Sequence, residues 1–165
     1  MFEKGEYIVY GNKGICAVQD ITILNMEGTV KGRLYYVLSP IHQKDSKIFV
    51  PTDSNKTIMR RLLTGEQADE LIKTIPQIEE IWVENDKLRE EKYKECMRTC
   101  ECREWVRIIK TLYVRMQKRI AQGKKITATD ERYFRMAEEN LYSELSIVLG
   151  IPKEEMEEYI TSRID

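Results

Sequence analysis

Lys47-Ile48-Phe49-Val50-Pro51 closes one kind of sequence, and Thr64-Gly65-Glu66-Gln67, a little further on, opens another. The first is a β-favouring run ended by a proline, which has no N–H to give to a ladder. The second fits a capping box, in which a threonine hydroxyl accepts the N–H three residues on and a glutamine there reaches back to the threonine N–H. On the N-terminal side of this divide the chain reads as strands and tight turns. On the C-terminal side it reads as helices almost to the end.

Working back from Phe49, the chain shows short β-rich runs separated by turn residues. Tyr7-Ile8-Val9-Tyr10 is followed by Gly11-Asn12-Lys13-Gly14, residues that tolerate positive φ. Ile15 to Leu24 is a longer run, ended by Asn25-Met26-Glu27-Gly28, and Arg33-Leu34-Tyr35-Tyr36-Val37-Leu38 runs into Pro40. Several short strands at this spacing predict a strongly bent sheet or small barrel.

Working forward from Thr64, a helix through Ala68, Leu71 and Ile72 is expected to end near Pro76, leaving Pro76 to Trp82 as a connection. Asn85 is a candidate N-cap for a helix through Tyr93 and Met97. A second long helix is expected from about Arg103 to Gln122, with Gly123 as its terminator. Val106, Ile109, Tyr113, Met116 and Ile120 recur in it at three- and four-residue steps and predict a buried stripe, with Arg103, Arg107, Lys110 and Lys118 roughly opposite. Thr127 caps a third helix whose stripe holds Tyr133, Met136, Leu141, Leu145 and Val148. Gly150 stops it, and Pro152 begins a short last one. The expected architecture is α+β in two domains: a bent β-sheet or small barrel over 1–60 and an all-α helical bundle over 61–165.

The 165 residues are 42% hydrophobic and 33% charged, enough to bury cores beneath a heavily charged surface, and no apolar run approaches the length of a bilayer span. Met1-Phe2-Glu3-Lys4-Gly5 lacks the basic and apolar regions of a secretory signal, so a cytoplasmic location is expected. The formal net charge of -1 conceals an uneven distribution. Between Arg103 and Lys125 lie Arg103, Arg107, Lys110, Arg115, Lys118, Arg119, Lys124 and Lys125 against one acid, Glu104, while Glu154, Glu155, Glu157 and Glu158 offset them elsewhere. A basic face of this kind suits phosphate.

Catalytic constellations are missing from the sequence: there is no glycine-rich phosphate loop, no nucleophile elbow and only one histidine, His42, in a polar turn. The expectation is a non-enzyme without cofactor. Cys96, Cys100 and Cys102 resemble a metal cluster at first, but Cys102 points away from the other two on a helix and a fourth ligand is lacking, so semi-buried or surface thiols are expected rather than zinc. Trp82 stands just before the Asn85 helix with Lys87, Arg89 and Lys92 after it. It admits two readings, a staple in the core or a wedge against an unstacked base step. Trp105, beside the Val106 stripe, reads as packing.

Phe2-Glu3-Lys4-Gly5-Glu6-Tyr7-Ile8-Val9-Tyr10-Gly11-Asn12-Lys13-Gly14, then Tyr35-Tyr36-Val37-Leu38, Phe49-Val50-Pro51-Thr52-Asp53, Trp82 with Arg89 and Tyr93, and Ile108-Ile109-Lys110-Thr111-Leu112-Tyr113 resemble, in order and spacing, the CarD/CdnL family of bacterial transcription regulators. The resemblance implies a Tudor-like N-terminal domain that binds the β subunit of RNA polymerase. Edge-to-edge strand pairing would suit that contact, with Ile21, Thr22 and Ile23 as the edge. It also implies a helical domain that touches promoter DNA at the upstream edge of the transcription bubble, where a tryptophan matched by Trp82 props the minor groove and stabilises the open complex. Arg89 resembles the arginine that comes after that tryptophan. Trp82, Lys87, Arg89, Lys92, Arg107 and Lys110 are thus the candidate DNA contacts, on a monomer drawn to the nucleoid by the polymerase. The chain departs from the family where a Ser-Gly-Asp turn is replaced by Thr99-Cys100-Glu101, so that a different turn between the helices is expected, and where a basic residue that often follows the polymerase-binding strand is replaced by apolar Phe49 or its neighbours. The distance from Trp82 to that turn is also longer by about one helical turn. The alternative is an adaptor that holds polymerase with its β module while its helices bind another protein.

Overall fold

A computed structural model describes residues 1–164, apart from the side chain of Asn12. Its internal contacts divide it into two units, the first ending at Leu62 and the second starting at Leu63.

The first unit is one antiparallel sheet of five strands, β1 (Tyr7–Tyr10), β2 (Ile15–Ile23), β3 (Leu34–Pro40), β4 (Ile48–Pro51) and β5 (Met59–Arg61), in the order β4-β3-β2-β1-β5. β1 turns into β2 through Gly11–Lys13 and Gly14. Gly11 has φ 45°, and a Cβ there would lie 2.5 Å from the Thr57 methyl, so the turn requires glycine twice over. Ile8, Cys16, Val18, Tyr36, Leu38 and Val50 form the core, and Phe2 closes over it. The Phe2 ring lies 5.7 Å from that of Tyr36, and the Phe2 N–H donates to the Tyr36 hydroxyl at 3.0 Å. The sequence reading missed β5. Met59-Arg60-Arg61 has no β-branched residue, and only its pairing with Ile8, Val9 and Tyr10 makes it a strand.

The second unit holds α1 (Gly65–Thr74), α2 (Arg89–Arg98), α3 (Cys102–Ala121), α4 (Ala128–Leu149) and α5 (Met156–Ile164). The capping box forms as read, with Thr64 Oγ1 accepting from Gln67 N–H at 3.1 Å and Gln67 Oε1 from Thr64 N–H at 2.9 Å. After α1 the chain makes a 3-10 turn at Ile75–Gln77. Asn85 caps another such turn, Asp86–Leu88, ahead of α2. Thr127 caps α4, and Gly150 ends it in the left-handed conformation.

Two expectations are corrected by the packing. The buried face of α3 is Cys102, Trp105, Val106, Ile108, Leu112 and Met116, while Tyr113 and Ile120 are 56% and 54% exposed. Likewise Met136 on α4 is exposed. Periodicity fixes that an apolar stripe exists, but the neighbouring helices determine which edge of it is covered. The thiols also differ from expectation, because all four cysteines are buried. Cys102 donates its S–H to the wholly buried carboxylate of Glu144 at 3.2 Å, whose other oxygen accepts the Leu63 N–H at 2.9 Å. Burial pushes the Cys96 thiol up to about 12, assisted by Glu104. Cys100, where glycine was missing from the turn, adopts φ 56° itself, so the left-handed step is made without glycine.

Candidate nucleic-acid interface

The site is built on α3 and on the segment that runs beside it. Three side chains in consecutive turns of α3 hold that segment by its backbone. Lys110 Nζ donates to Ile75 O at 2.8 Å and to Ile78 O at 2.6 Å. Arg107 Nε donates to Glu79 O at 3.3 Å. Thr111 Oγ1 accepts the Ile81 N–H at 2.8 Å and donates onward to Arg107 O at 2.6 Å. Ile78 and Ile81 are buried. The next residue, Trp82, is 75% exposed.

A tryptophan left in solvent at the end of a segment fixed at so many points is not a core staple. It stands at the mouth of a cleft of about 470 Å³ lined also by Val83, Val114 and Gln122 and by five cations, Arg89, Arg115, Lys118, Arg119 and Lys124, against two carboxylates, Glu80 and Asp86. Asp86 is occupied by Arg89, whose Nη2 lies 3.0 Å from it. Burial works against the Arg89 charge, but bonds to Tyr93 and Asp86 outweigh it and raise the pKa. The Tyr93 phenol, desolvated between Arg89 and Asp130, is pushed up to about 12. The field in the cleft is therefore positive, beside an exposed aromatic face.

Of the residues expected to contact DNA, the cleft brings together Trp82 and Arg89. Lys87 is exposed on the Asp86–Leu88 turn, and Lys92 lies on α2 with its ammonium 3.7 Å from Glu95. Arg107 is divided between Glu79 O and Glu104, 2.9 Å away, and Lys110 is directed to backbone carbonyls. Neither lines the cleft. Arg115, Lys118 and Arg119 do, at three- and four-residue steps along α3, a spacing present in the sequence but outweighed there by the cations one and two turns earlier.

In the β unit, Ile21, Thr22 and Ile23 pair on one side with Tyr36, Tyr35 and Leu34 of β3. On the other side β1 reaches only to Ala17, with Glu6 O and Gly5 N bonding Val18. The far edge of Ile21–Ile23 thus has no strand partner among the described residues, although β2 is interior in the strand order. A register shift between Val18 and Asp20 marks the point where this edge departs from β1.

Both units match known domains. Residues 2–63 match the CarD-like/TRCF RID domain, and residues 70–161 match the CarD C-terminal domain. The chain belongs to the CarD-like family. It is a CarD-like transcription regulator that binds RNA polymerase, a family not known for enzymatic activity. No curated protein matches the CarD-like chain. No helix among the described residues is long and apolar enough to cross a membrane.

Proposed function

We propose that this CarD-like regulator holds the β subunit of RNA polymerase through the Ile21–Ile23 edge and promoter DNA through the Trp82 cleft, stabilising the open complex at the upstream edge of the bubble. The observation that carries the reading is Trp82, exposed and rigidly presented beside five cations. Cations attract phosphate without reading sequence, and an apolar ring set at the groove separates or props a base step that duplex DNA would otherwise close. An unpaired strand edge is, in the same way, a template for a strand of the partner. In this reading the chain acts as a monomer, with polymerase holding it in the cytoplasm at the nucleoid.

The test is a promoter-opening assay with polymerase. Trp82→Ala, folded to the same melting temperature, is expected to lose the stabilisation of the open complex, and Ile23→Lys is expected to lose co-purification with the β subunit. A wild-type chain that leaves promoter opening unchanged would sink the proposal.

The adaptor reading has one observation in its favour. A second cleft, of about 800 Å³, is lined by apolar Met116, Ile126 and Phe134 and by four glutamates against two cations, Arg135 and Lys153, which are paired to Glu131 and Glu139, a lining that suits protein better than phosphate. Under that reading the helical unit would show no salt-dependent affinity for DNA.

A further inference from the structure

Behind the cationic cleft lies a chain of polar contacts that reaches into the helical core. Asp130, in the first turn of α4, is 2% exposed, a depth at which a carboxylate is tolerated only when paired and hydrogen-bonded. Its Oδ2 accepts from Arg115 Nε at 2.7 Å, and its Oδ1 accepts the Tyr93 hydroxyl at 3.1 Å. Its own N–H donates to the Thr127 cap at 3.1 Å, which fixes the carboxylate to the start of a helix. The Tyr93 oxygen in turn accepts from Arg89 Nη1 at 3.4 Å, while Arg89 Nε and Nη2 go to Asp86. Arg89 and Arg115 both line the cleft. One buried carboxylate and one buried phenol therefore reach two guanidinium groups from behind.

We infer that Asp130 is a positioning residue for phosphate recognition: with Tyr93 it fixes the direction of the Arg115 and Arg89 guanidinium groups beside Trp82. The inference rests on the cleft being a DNA surface. Arg115 bonds Asp130 through Nε, which leaves its terminal nitrogens for a phosphate in the fork geometry that arginine provides. An arginine held in this way has surrendered its rotamer freedom before DNA arrives, so less is lost on binding.

Asp130 has a second effect of opposite sign. It cancels one positive charge, and a carboxylate acting only as a charge would weaken the cleft's hold on phosphate. Removing it would then tighten DNA binding, whereas loss of a positioning residue would loosen it. The sign of the effect separates the two roles.

The experiment measures binding of the full chain to a promoter duplex by fluorescence anisotropy across a salt series. Asp130→Ala is expected to lower affinity about tenfold, the scale of a charge-assisted hydrogen bond. The slope of log affinity against log salt should flatten by about one phosphate contact. Asp130→Asn, whose amide oxygen still accepts from Arg115, should recover most of the loss, and Asp130→Ala should add to Arg115→Ala only the smaller part that acts through Tyr93 on Arg89. Should Asp130→Ala fail to fold by circular dichroism, Tyr93→Phe decides by the same slope, since it keeps the buried ring and deletes only the hydroxyl. Binding by Asp130→Ala as tight as wild type or tighter, or a loss that adds in full to that of Arg115→Ala, would overturn the inference alone. A wild-type chain without salt-dependent DNA affinity would overturn the cleft reading and this inference with it.

Discussion

The Thr111 hydroxyl accepts the Ile81 N–H at 2.8 Å, one residue before Trp82, and so ties the exposed tryptophan to the buried face of α3. Thr111→Val preserves shape and removes the acceptor, leaving a buried N–H unsatisfied. The expected cost is about 1–3 kcal/mol of stability, read from the denaturation midpoint. Promoter opening should fall further than with Thr111→Ser, which keeps the hydroxyl. Equal midpoints for Thr111→Val and wild type would show that the bond contributes nothing.

Lys110 and Lys118 lie on the same helix with different surroundings, and their substitution should have opposite consequences. Lys110→Met takes two donors from Ile75 O and Ile78 O and is expected to lower the melting temperature. Lys118→Ala, in the cleft and exposed, should leave the melting temperature unchanged and reduce the salt slope of DNA binding by about one. Thermal melts and a salt titration on both variants check this, and the reverse assignment would refute it.

Cys100 occupies a left-handed conformation with its side chain buried. Cys100→Gly relieves the backbone and forfeits the packing of a thiol. The two effects are each about 1 kcal/mol and opposed, so a near-neutral change is expected. Cys100→Val places a β-branched residue at positive φ and should cost roughly 1–3 kcal/mol. Chemical denaturation of the pair gives the comparison, and Val more stable than Gly would contradict it.

Glu138 has its pKa raised above 4.5, first by burial and then by the Glu157 carboxylate. The native state therefore holds this proton more tightly than the unfolded chain does. The stability it contributes is present below about 4.5 and is lost as pH rises through the higher native value. Glu138→Gln, neutral throughout, should be more stable than wild type at neutral pH, with the advantage disappearing below about 4.5. An advantage independent of pH would reject this cause.

The division at Thr64 was legible because caps and turns are local chemistry. Thr64, Thr127 and Gly150 perform as read, since each acts on backbone within four residues, whereas Asn85 caps the Asp86–Leu88 turn and α2 begins only at Arg89. The site was legible only in part. Trp82 stood out by its place before a helix and Arg89 by its resemblance to the family's arginine, but nothing local distinguishes Lys110, bonded to carbonyls of another segment, from Lys118, which lines the cleft. A lysine's role depends on what lies within reach of its ammonium.

The sequence by itself determined a β unit followed by helices, the helix ends apart from the start of α2, the basic stretch from Arg103 to Lys125 and the conspicuous tryptophan. These come from propensity, capping and periodicity, which operate over a few residues. Tertiary structure alone decided that Met59–Arg61 is a strand, that Tyr113 and Ile120 face solvent, that Ile21–Ile23 pairs with β3 and with no other strand among the described residues, and that Asp130 reaches Arg115. Each of these depends on a partner distant in sequence or on the absence of one, and pairing at a distance is a property of the packed chain.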